Sequence, residues 1–403
     1  MSPANGLLEP GSGRASGVAD DAALLAAMVR VEVGWLRALA SVGAINPDDA
    51  EMAAAAVSSL DVDLVRLRAD TEAAGNPVVP LVQLLRDSVR EPRVSTLIHR
   101  GLTSQDVLDT ALVLLARDAL TRIREDLAAA ARALGQLAQT HRGTVMAGRT
   151  LTQYAVPITF GLKASQWLSG VLDALEQVED VLDRLPVQCG GAGGTLSLVA
   201  EVAGDPVAVA RAFADELALV WPGLPWHTTR TPVTRLGDAL VGACDAVGVV
   251  ATDVALLSRP EIAEVREGAV AGRGGSSTMP HKRNPVLSVL VRSAALQAPL
   301  LGAQLHLAAG QAVDERPDGA WHSEWPALRR LLELTVTATS QAAELASGLE
   351  VDAVVMQARV VAAADSLLAE RGGGGTPQDY LGATGQFVDH VLARLPKDGP
   401  RHG

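Results

Sequence analysis

The sequence has few aromatic residues. Phe, Trp and Tyr together make up 3% of its 403 residues, whereas hydrophobic residues as a whole make up 48%. The apolar core must therefore be built mainly from Ala, Leu and Val. Ala and Leu form helices readily, and the aromatic residues that favour strands are scarce. The composition predicts a helical protein, and the chain is long enough for two or three domains.

Cysteine is equally scarce, since only Cys189 and Cys244 occur. Two cysteines are too few for a disulfide framework, and their spacing is not that of a metal site. The first 20 residues contain no basic segment followed by an apolar run, so we predict a short disordered lead-in rather than a signal peptide. Both observations favour a reduced, cytoplasmic protein.

Positive charge is also in short supply, with 34 Lys and Arg against 46 Asp and Glu and a net charge of −12. This balance argues against nucleic acid or an anionic membrane as a partner, so any anion must be bound by a local basic patch. The most apolar stretch, residues 286–313, is nearly long enough to cross a membrane. We predict a buried bundle helix instead, because the stretch carries five polar side chains: Arg292, Gln297, Gln304, His306 and Gln311.

Apolar residues recur every three to four positions along five stretches of the chain. That period predicts helices at residues 107–141, 158–185, 236–257, 286–313 and 326–345. Helices this long exceed the usual mean of about 11 to 12 residues and predict an elongated bundle. We find no internal repeat and no convincing strand. The predicted fold is all-α, with an N-terminal helical domain at 1–105, a central long-helix bundle at 106–347 and a short C-terminal helical domain at 348–403.

One connection between two predicted helices combines glycine with positive charge. Residues 272–285 read GRGGSSTMPHKRNP and include Lys282, one of three lysines in the chain. Glycines allow unusual backbone angles and leave amide N–H groups free to face an anion. In an acidic protein this loop predicts a local anion-binding site. On composition alone, a solvated connector remains the alternative.

The string GGSSTMPHKRNP resembles the signature loop of the fumarase/aspartase superfamily, GSSxMPxKxNP, at every fixed position. HRGLTSQDVLDT, from His99, and GRTLTQYAVP, from Gly148, resemble the first and second active-site regions of that superfamily. The resemblance covers about residues 20–385 and implies a three-domain fold with a central bundle of long helices. It also implies a homotetramer with active sites shared between subunits, a small polycarboxylate substrate, and no cofactor or metal.

Within the superfamily, the chain is most similar to the bacterial 3-carboxy-cis,cis-muconate cycloisomerases. The strings MAGRTLTQYAVPITFGLKASQWL, CGGAGGTLSL and ERPDGAWHSEWPALR carry this similarity. The implied reaction closes a tricarboxylate to 4-carboxymuconolactone, in the protocatechuate branch of the β-ketoadipate pathway. The last string lies outside the three general regions and separates this group from adenylosuccinate lyase.

Three positions depart from the superfamily pattern. Lyases that expel an amine or hydroxide carry a histidine and a glutamate where this chain has Leu151 and Val289. A carboxylate, with a pKa of about 4, leaves or attacks as the anion, so lactonisation needs no such acid. Several similar cycloisomerases carry a histidine at the position of Tyr154, and a tyrosine does not titrate near neutrality unless strongly perturbed.

The resemblance also implies roles for single residues. Ser276 would transfer a proton to or from carbon, with Lys282 stabilising its alkoxide, and His99 is a third catalytic candidate. The candidates for substrate binding are Thr103, Ser104, Thr150, Gln153, Ser277, Met279, Arg283, Asn284, Arg316 and His322. Structural roles stay open, because the hydroxyls of TSQD also suit a helix cap and a histidine also suits a structural hydrogen bond.

Two other functions stay open. One is a different lyase of the superfamily. A nitrosuccinate-type lyase, which expels nitrite, tolerates the missing histidine, whereas an adenylosuccinate or argininosuccinate lyase does not. The other is a catalytically silent helical scaffold. The intact loop argues against a scaffold, because a scaffold has no physical use for a serine pair beside a lysine.

Overall fold

Helices dominate the computed structural model, which describes residues 6–395. The α-helices are α1 Asp21–Ser41, α2 Pro47–Ser58, α3 Leu64–Ala74, α4 Val78–Ser88, α5 Pro92–Ser95, α6 Ser104–Thr140, α7 Phe160–Leu182, α8 Ser197–Ala203, α9 Pro206–Leu217, α10 Thr231–Leu257, α11 Val286–Ala309, α12 Gly319–Ser347, α13 Ala353–Ala362, α14 Ala364–Leu367 and α15 Thr384–Leu392. Short 3-10 helices lie at Ser12–Ala15, Ala369–Arg371 and Pro377–Asp379. The all-α fold class is confirmed.

Each of the five predicted long helices is present, with lengths of 23 to 37 residues. The largest difference is in α12, which begins seven residues before Pro326 and continues through it. Proline inside a helix costs about 3 kcal/mol. Apolar side chains buried on both sides of it, among them Trp321 and Leu328, outweigh that cost.

Several helices begin at a polar residue that caps their first turn. The Asp20 carboxylate accepts a hydrogen bond from the Ala23 amide at the start of α1, and Asn46 and Asp63 do the same for α2 and α3. Such caps satisfy amide groups that have no partner within the helix. The lead-in prediction was wrong from Gly6 onward, because Ala15, Val18 and Ala19 are buried.

The prediction of no strands was wrong. β1 (Val145–Thr150) and β2 (Gln153–Thr159) form an antiparallel hairpin, and the short β3 (Val265–Arg266) pairs with β4 (Glu350–Val351). The hairpin turn consists of Leu151 and Thr152, both with positive φ. Such turns normally contain Asn or Gly, so the usual sequence signal for a hairpin is missing here.

The chain divides into two compact units, whose boundaries fall inside the long helices. Unit 1 comprises Met1–Thr121, Asp180–Asp238 and Leu300–Glu333, and unit 2 comprises Arg122–Glu179, Ala239–Pro299 and Leu334–Gly403. In unit 1, α1 packs against α2 and α9, where the rings of Trp35 and Phe213 meet edge to face. In unit 2, the hairpin packs on α13 and α14. The three-domain division remains a prediction.

Two helices, α10 and α11, are long and apolar enough to cross a membrane by length and composition alone. Core helices of soluble proteins pass the same test. In α11, four apolar side chains are more than half exposed on this single chain: Val289, Leu296, Leu300 and Leu307. Their spacing of seven, four and seven residues places them on one stripe of the helix. We call these four residues the α11 stripe.

Candidate active site

Asp106 fixes the TSQD turn at the start of α6. Its fully buried carboxylate accepts hydrogen bonds from the backbone amides of Thr103 at 3.0 Å, Gly190 at 2.9 Å and Gly191 at 2.9 Å. The Nε2 atom of His227 lies 2.8 Å from the same carboxylate. A buried carboxylate needs such partners, because its desolvation is otherwise very costly. The side chains of Thr103 and Ser104 are thereby presented from a rigid turn, at the edge of the buried region.

A second buried acid, Asp109, lies one turn along α6 and shares one guanidinium with Glu324 of α12. Arg230 donates to Asp109 Oδ2 at 2.7 Å and to Glu324 Oε2 at 2.6 Å, and Trp321 Nε1 donates to Asp109 Oδ1 at 2.9 Å. Asp106, Asp109, His227, Arg230 and Glu324 are all buried, and we call them the buried cradle. They hold the first turns of α6 to the segments that surround them in unit 1.

The pKa values of Arg230 and Glu324 in the buried cradle depend on burial and on the excess of carboxylates over guanidinium groups. Burial alone would lower the pKa of Arg230, but the carboxylates of Asp109 and Glu324 outweigh burial and raise it. Burial raises the pKa of Glu324, and hydrogen bonds from Arg230 offset this only in part while the charge of Asp109 adds to it. One cation thus serves two acids, and Glu324 is harder to ionise than an ordinary glutamate.

His99 lies beside this turn in a strained conformation. Its φ is +60°, in the left-handed region that residues with a Cβ seldom adopt. The buried carboxylate of Glu32, on α1, accepts from the His99 backbone amide at 3.0 Å and lies 2.6 Å from Nδ1 of the ring. His99 also lines a cavity of about 410 Å³ together with Arg100, Gly101 and residues 191–193. The structure therefore supports a cavity-facing histidine with one ring nitrogen already committed.

Arg316 and His322, the other substrate-binding candidates of unit 1, are engaged with the backbone. Arg316 Nη2 donates to the carbonyl oxygen of Ala192, a residue of the same cavity wall. The two ring nitrogens of His322 lie 3.0 Å and 2.9 Å from the carbonyl oxygens of Asp318 and Gly75. Arg316 is thus near the cavity, whereas His322 makes contacts that fit a structural role.

The second active-site segment forms the β1–β2 hairpin of unit 2. Thr150 and Gln153 are paired across the hairpin, next to its turn, and both are exposed. This pairing brings together the two polar residues expected to face a ligand. Leu151, at the tip, is 94% exposed and contributes almost nothing to the packing of its own chain.

Tyr154 packs against Arg149 of the same hairpin. The Arg149 guanidinium carbon lies 5.6 Å from the centroid of the tyrosine ring, and its nitrogens donate to Glu264 at 2.8 Å and 3.0 Å. Burial alone would lower the pKa of Arg149, but its bond to Glu264 outweighs burial and raises it. The aromatic ring at the position of a family histidine is therefore held beside a permanent cation.

In the signature loop, two backbone amides donate hydrogen bonds to the side chain of Ser276. Its Oγ accepts from the amide of Met279 at 3.2 Å and, at 3.4 Å, from that of Thr278. Amides that already point at a hydroxyl oxygen also stabilise negative charge on it. The loop itself is largely open, since Ser277, Met279, Lys282 and Arg283 are exposed. Among residues 6–395, no carboxylate lies within ion-pair distance of Lys282 or Arg283.

Asn284 closes the base of the loop. Its backbone amide donates to the carbonyl oxygen of Gly274 at 2.8 Å, and its side-chain amide donates to the same oxygen at 3.1 Å. Gly274 has φ of +72°, and a Cβ there would approach the Asn284 carbonyl oxygen to 2.6 Å. Glycine is thus required at this position, and the substrate-binding candidate Asn284 holds the loop together.

Glu267 caps the helix that follows the loop. Its carboxylate accepts from the amides of Leu287 and Ser288 at the start of α11 and from the Ser288 hydroxyl. Val289, where other lyases carry a glutamate, is 53% exposed. Within residues 6–395, no group of three or more His, Cys, Asp or Glu side chains is arranged to hold a metal ion.

The predicted site residues fall in both units. Unit 1 positions His99, Thr103, Ser104, Arg316 and His322, while unit 2 positions Thr150, Gln153, Ser276, Ser277, Met279, Lys282, Arg283 and Asn284. Sequence reasoning missed Glu32 and the buried cradle. A usable signal was present for the cradle, because Asp106 and Asp109 lie three residues apart and residues at that spacing share one face of a helix.

Comparison with known proteins gives consistent results. Residues 18–300 match the family described as "Lyase". The chain is 46% identical over 358 residues to nitrosuccinate lyase of Streptomyces davaonensis, covering 87% of this chain and 75% of that one. It is 39% identical over 343 residues to 3-carboxy-cis,cis-muconate cycloisomerase of Pseudomonas aeruginosa, covering 84% and 74%. The crystal structure of 3-carboxy-cis,cis-muconate lactonizing enzyme from Pseudomonas putida superposes with a TM-score of 0.83 at 30% identity, covering 92% and 94%.

Proposed function

Because the chain belongs to the lyase family of the fumarase/aspartase superfamily, and so is an enzyme acting on small carboxylates, we propose that it is a 3-carboxy-cis,cis-muconate cycloisomerase. A carboxylate of the triacid would add across a conjugated double bond, and the carbon next to another carboxyl group would then be protonated. The observation that carries this proposal is the absence of an acid at Leu151 and Val289, combined with an intact serine loop.

The proposed mechanism depends first on whether the leaving or attacking group needs a proton. The hairpin tip presents an exposed leucine where an acid would protonate an amine or hydroxide. Those groups leave slowly unless protonated, because their conjugate acids have pKa values of about 10 or above. A carboxylate needs no proton to attack or to leave. The site is therefore suited to a weakly basic group.

Ser276 is the proposed carbon acid–base group. In lactonisation its hydroxyl gives a proton to the substrate carbon, and in the reverse elimination its alkoxide removes that proton. The two amides that point at Oγ stabilise the alkoxide, and the unpaired Lys282 ammonium adds positive charge to the same loop. Closure of the open loop over the substrate would strengthen both effects by excluding water.

The substrate carboxylates require donors because charge builds up on one of them. The carbanion formed by addition is delocalised into its neighbouring carboxylate, and preorganised donors act most strongly on that developing charge. We assign this binding to Thr103 and Ser104 of the TSQD turn and to Thr150 and Gln153, which pair with each other across the β1–β2 hairpin. Arg283 then balances the third carboxylate.

The reaction also needs a proton from solvent. A trianion with three carboxylates becomes a lactone dianion, so each turnover consumes one proton, which ends on carbon. Ser276 can supply it only if the serine is reprotonated afterwards. We assign this supply to His99, which lines the cavity and has a titratable ring.

We propose a homotetramer in which the three active-site segments come from different subunits. The α11 stripe supports this, because a soluble single chain seldom exposes a continuous row of large apolar side chains. The stripe has the spacing of a helix that packs on another helix. Burying it between subunits would place α11, and the loop that precedes it, at an interface.

A nitrosuccinate-type elimination is the second candidate. The 46% identity to nitrosuccinate lyase favours it, and nitrite, like a carboxylate, leaves as a weakly basic anion. The same serine would then remove a proton from carbon, and the net reaction would release a proton instead of consuming one.

A direct assay separates the two candidates. The purified protein is incubated with 3-carboxy-cis,cis-muconate while the diene absorbance is followed, and separately with nitrosuccinate while nitrite is measured. We expect loss of diene absorbance with at least 100-fold higher kcat/KM than nitrite release, about 2.7 kcal/mol in transition-state binding. The reverse ratio assigns the second function. A folded protein without activity on either compound contradicts both and favours the scaffold.

A further inference from the structure

The carboxylate of Glu32 is buried, and among residues 6–395 its only hydrogen-bond partner is His99. It lies in the middle of α1 with none of its surface exposed, between the equally buried Val31 and the aromatic Trp35. No Arg or Lys within the described range pairs with it. Burying a carboxylate is costly, and a neutral side chain would fill the same space without that cost. The charge therefore requires an explanation beyond packing.

Both oxygens of Glu32 act on the same residue. One accepts from the His99 backbone amide at 3.0 Å, and the other lies 2.6 Å from Nδ1 of the ring. The backbone bond helps to hold His99 at φ +60°, a conformation that residues with a Cβ seldom adopt. Backbone and ring are thus fixed by one carboxylate.

The second ring nitrogen of His99, Nε2, is available for proton exchange. Within residues 6–395, Nε2 has no hydrogen-bond partner, and the His99 side chain is 16% exposed where it lines the cavity. An ionised carboxylate only accepts hydrogen bonds, so Nδ1 must carry a proton. Nε2 is then the atom that gains or loses a proton.

We infer that Glu32 is a positioning residue that holds His99 with Nδ1 protonated and Nε2 free for proton exchange at the cavity. The destination of the proton rests on the proposed function. In lactonisation, Nε2–H of the imidazolium gives its proton to the serine alkoxide, the N–H electron pair stays on nitrogen, and water then restores the proton to Nε2. The Glu32 carboxylate accepts from Nδ1–H and stabilises the imidazolium.

Glu32→Gln tests this positioning role. Glutamine has nearly the same shape but offers one accepting oxygen where the site needs two. The backbone amide of His99 cannot move its proton, so the Gln oxygen accepts from that amide and the Gln NH₂ group faces Nδ1. The neutral ring must then carry its proton on Nε2, the opposite tautomer.

Two measurements are made, with Asp49→Asn as the matched control. Asp49 is also a buried acid of unit 1, it pairs with Arg93, and it is not one of the proposed site residues. Solid-state ¹⁵N NMR of histidine-labelled protein without substrate identifies the His99 tautomer, and His99→Asn assigns the signal. Steady-state kinetics give kcat and KM for Glu32→Gln, His99→Asn and the double variant.

We expect the Nδ1–H tautomer in the unmodified protein and in Asp49→Asn, and the Nε2–H tautomer in Glu32→Gln. We expect kcat to fall roughly 100-fold in Glu32→Gln with KM changed less than about threefold, and no further fall in the double variant beyond His99→Asn.

An Nε2–H tautomer in the unmodified protein overturns the inference, even if Glu32→Gln does not fold. Additive losses in the double variant also overturn it. Because the NMR measurement needs no substrate, failure of the proposed reaction leaves that result intact.

Discussion

The buried cradle and the signature loop are built in opposite ways. In the cradle, three acids, one histidine and one guanidinium are buried, and every carboxylate accepts at least two hydrogen bonds. In the loop, the side chains of Ser277, Lys282 and Arg283 are exposed, and Ser276 is held only by two amides of its own segment. Substitutions in the cradle should therefore affect stability, and substitutions in the loop should affect turnover.

Ser276→Ala should show the largest effect, on turnover alone. Loss of a general acid or base costs about 10² to 10⁴ in rate, and we expect kcat to fall on the order of 10³-fold. The melting temperature should stay within about 1 °C, because the hydroxyl bonds only to local amides. Ser59→Ala, which removes an exposed hydroxyl immediately after α2, is the control. Unchanged turnover in Ser276→Ala would remove the mechanism.

Arg230→Met should show the opposite behaviour, because it leaves Asp109 and Glu324 buried together without a cation. Removing one partner from a buried ion pair costs about 3 to 5 kcal/mol, measured as a change in the free energy of unfolding. Arg37→Met, which breaks the exposed pair with Glu51, should cost less than about 1 kcal/mol. Equal effects of the two substitutions would mean that the cradle does not determine stability.

Leu296→Glu tests whether the activity that depends on the signature loop requires the subunits to assemble. A charge in the middle of the α11 stripe should dissociate the proposed tetramer, measured by light scattering, and abolish activity while the helix content by circular dichroism is kept. Val65→Glu is the control, since Val65 is 74% exposed on α3 and lies outside the stripe. A tetramer that survives Leu296→Glu, or a monomer with full activity, contradicts the proposed shared site.

Glu324→Gln should produce the smallest effect, a change in how stability depends on pH. The pKa of Glu324 is raised above its usual 4.5, so its contribution to stability is present below pH 4.5 and is lost as pH rises through the folded pKa. The melting temperature of the variant, relative to the unmodified protein, should therefore increase from pH 4.5 to 7. Glu51→Gln should have the opposite slope, because its bond to Arg37 lowers the pKa of Glu51. A flat difference for Glu324→Gln would contradict the raised pKa.

The fold could be predicted from the sequence where periodicity carries the signal. All five long helices follow from apolar spacing, and the Ala-, Leu- and Val-rich composition excludes an extended sheet. The hairpin could not be predicted, because Leu151 and Thr152 adopt positive φ without the Asn or Gly that usually marks such a turn. The two strands that flank this turn pack on α13 and α14, which lie far along the chain and leave no local signal.

The site was predictable where a contiguous motif exists and not where partners come from distant positions. The loop string predicts roles for Ser276 and Lys282, and GRTLTQ predicts roles for Thr150 and Gln153, which the hairpin brings side by side. Glu32 is separated from His99 by 67 positions and lies in an ordinary amphipathic helix, so no local pattern marks it. His322 shows the reverse case, because its matched string suggested a ligand contact while its ring faces two carbonyl oxygens.

Leu151, at the hairpin tip, can affect the proposed chemistry while contributing little to folding. Since 94% of its side chain is exposed on its own chain, replacing it removes almost no interior contact. In the proposed mechanism this position determines whether the leaving group receives a proton, and the hairpin that carries it does not depend on its side chain for packing. If the mechanism is correct, a proton donor and a hydrocarbon could be exchanged here during evolution without first evolving a more stable protein.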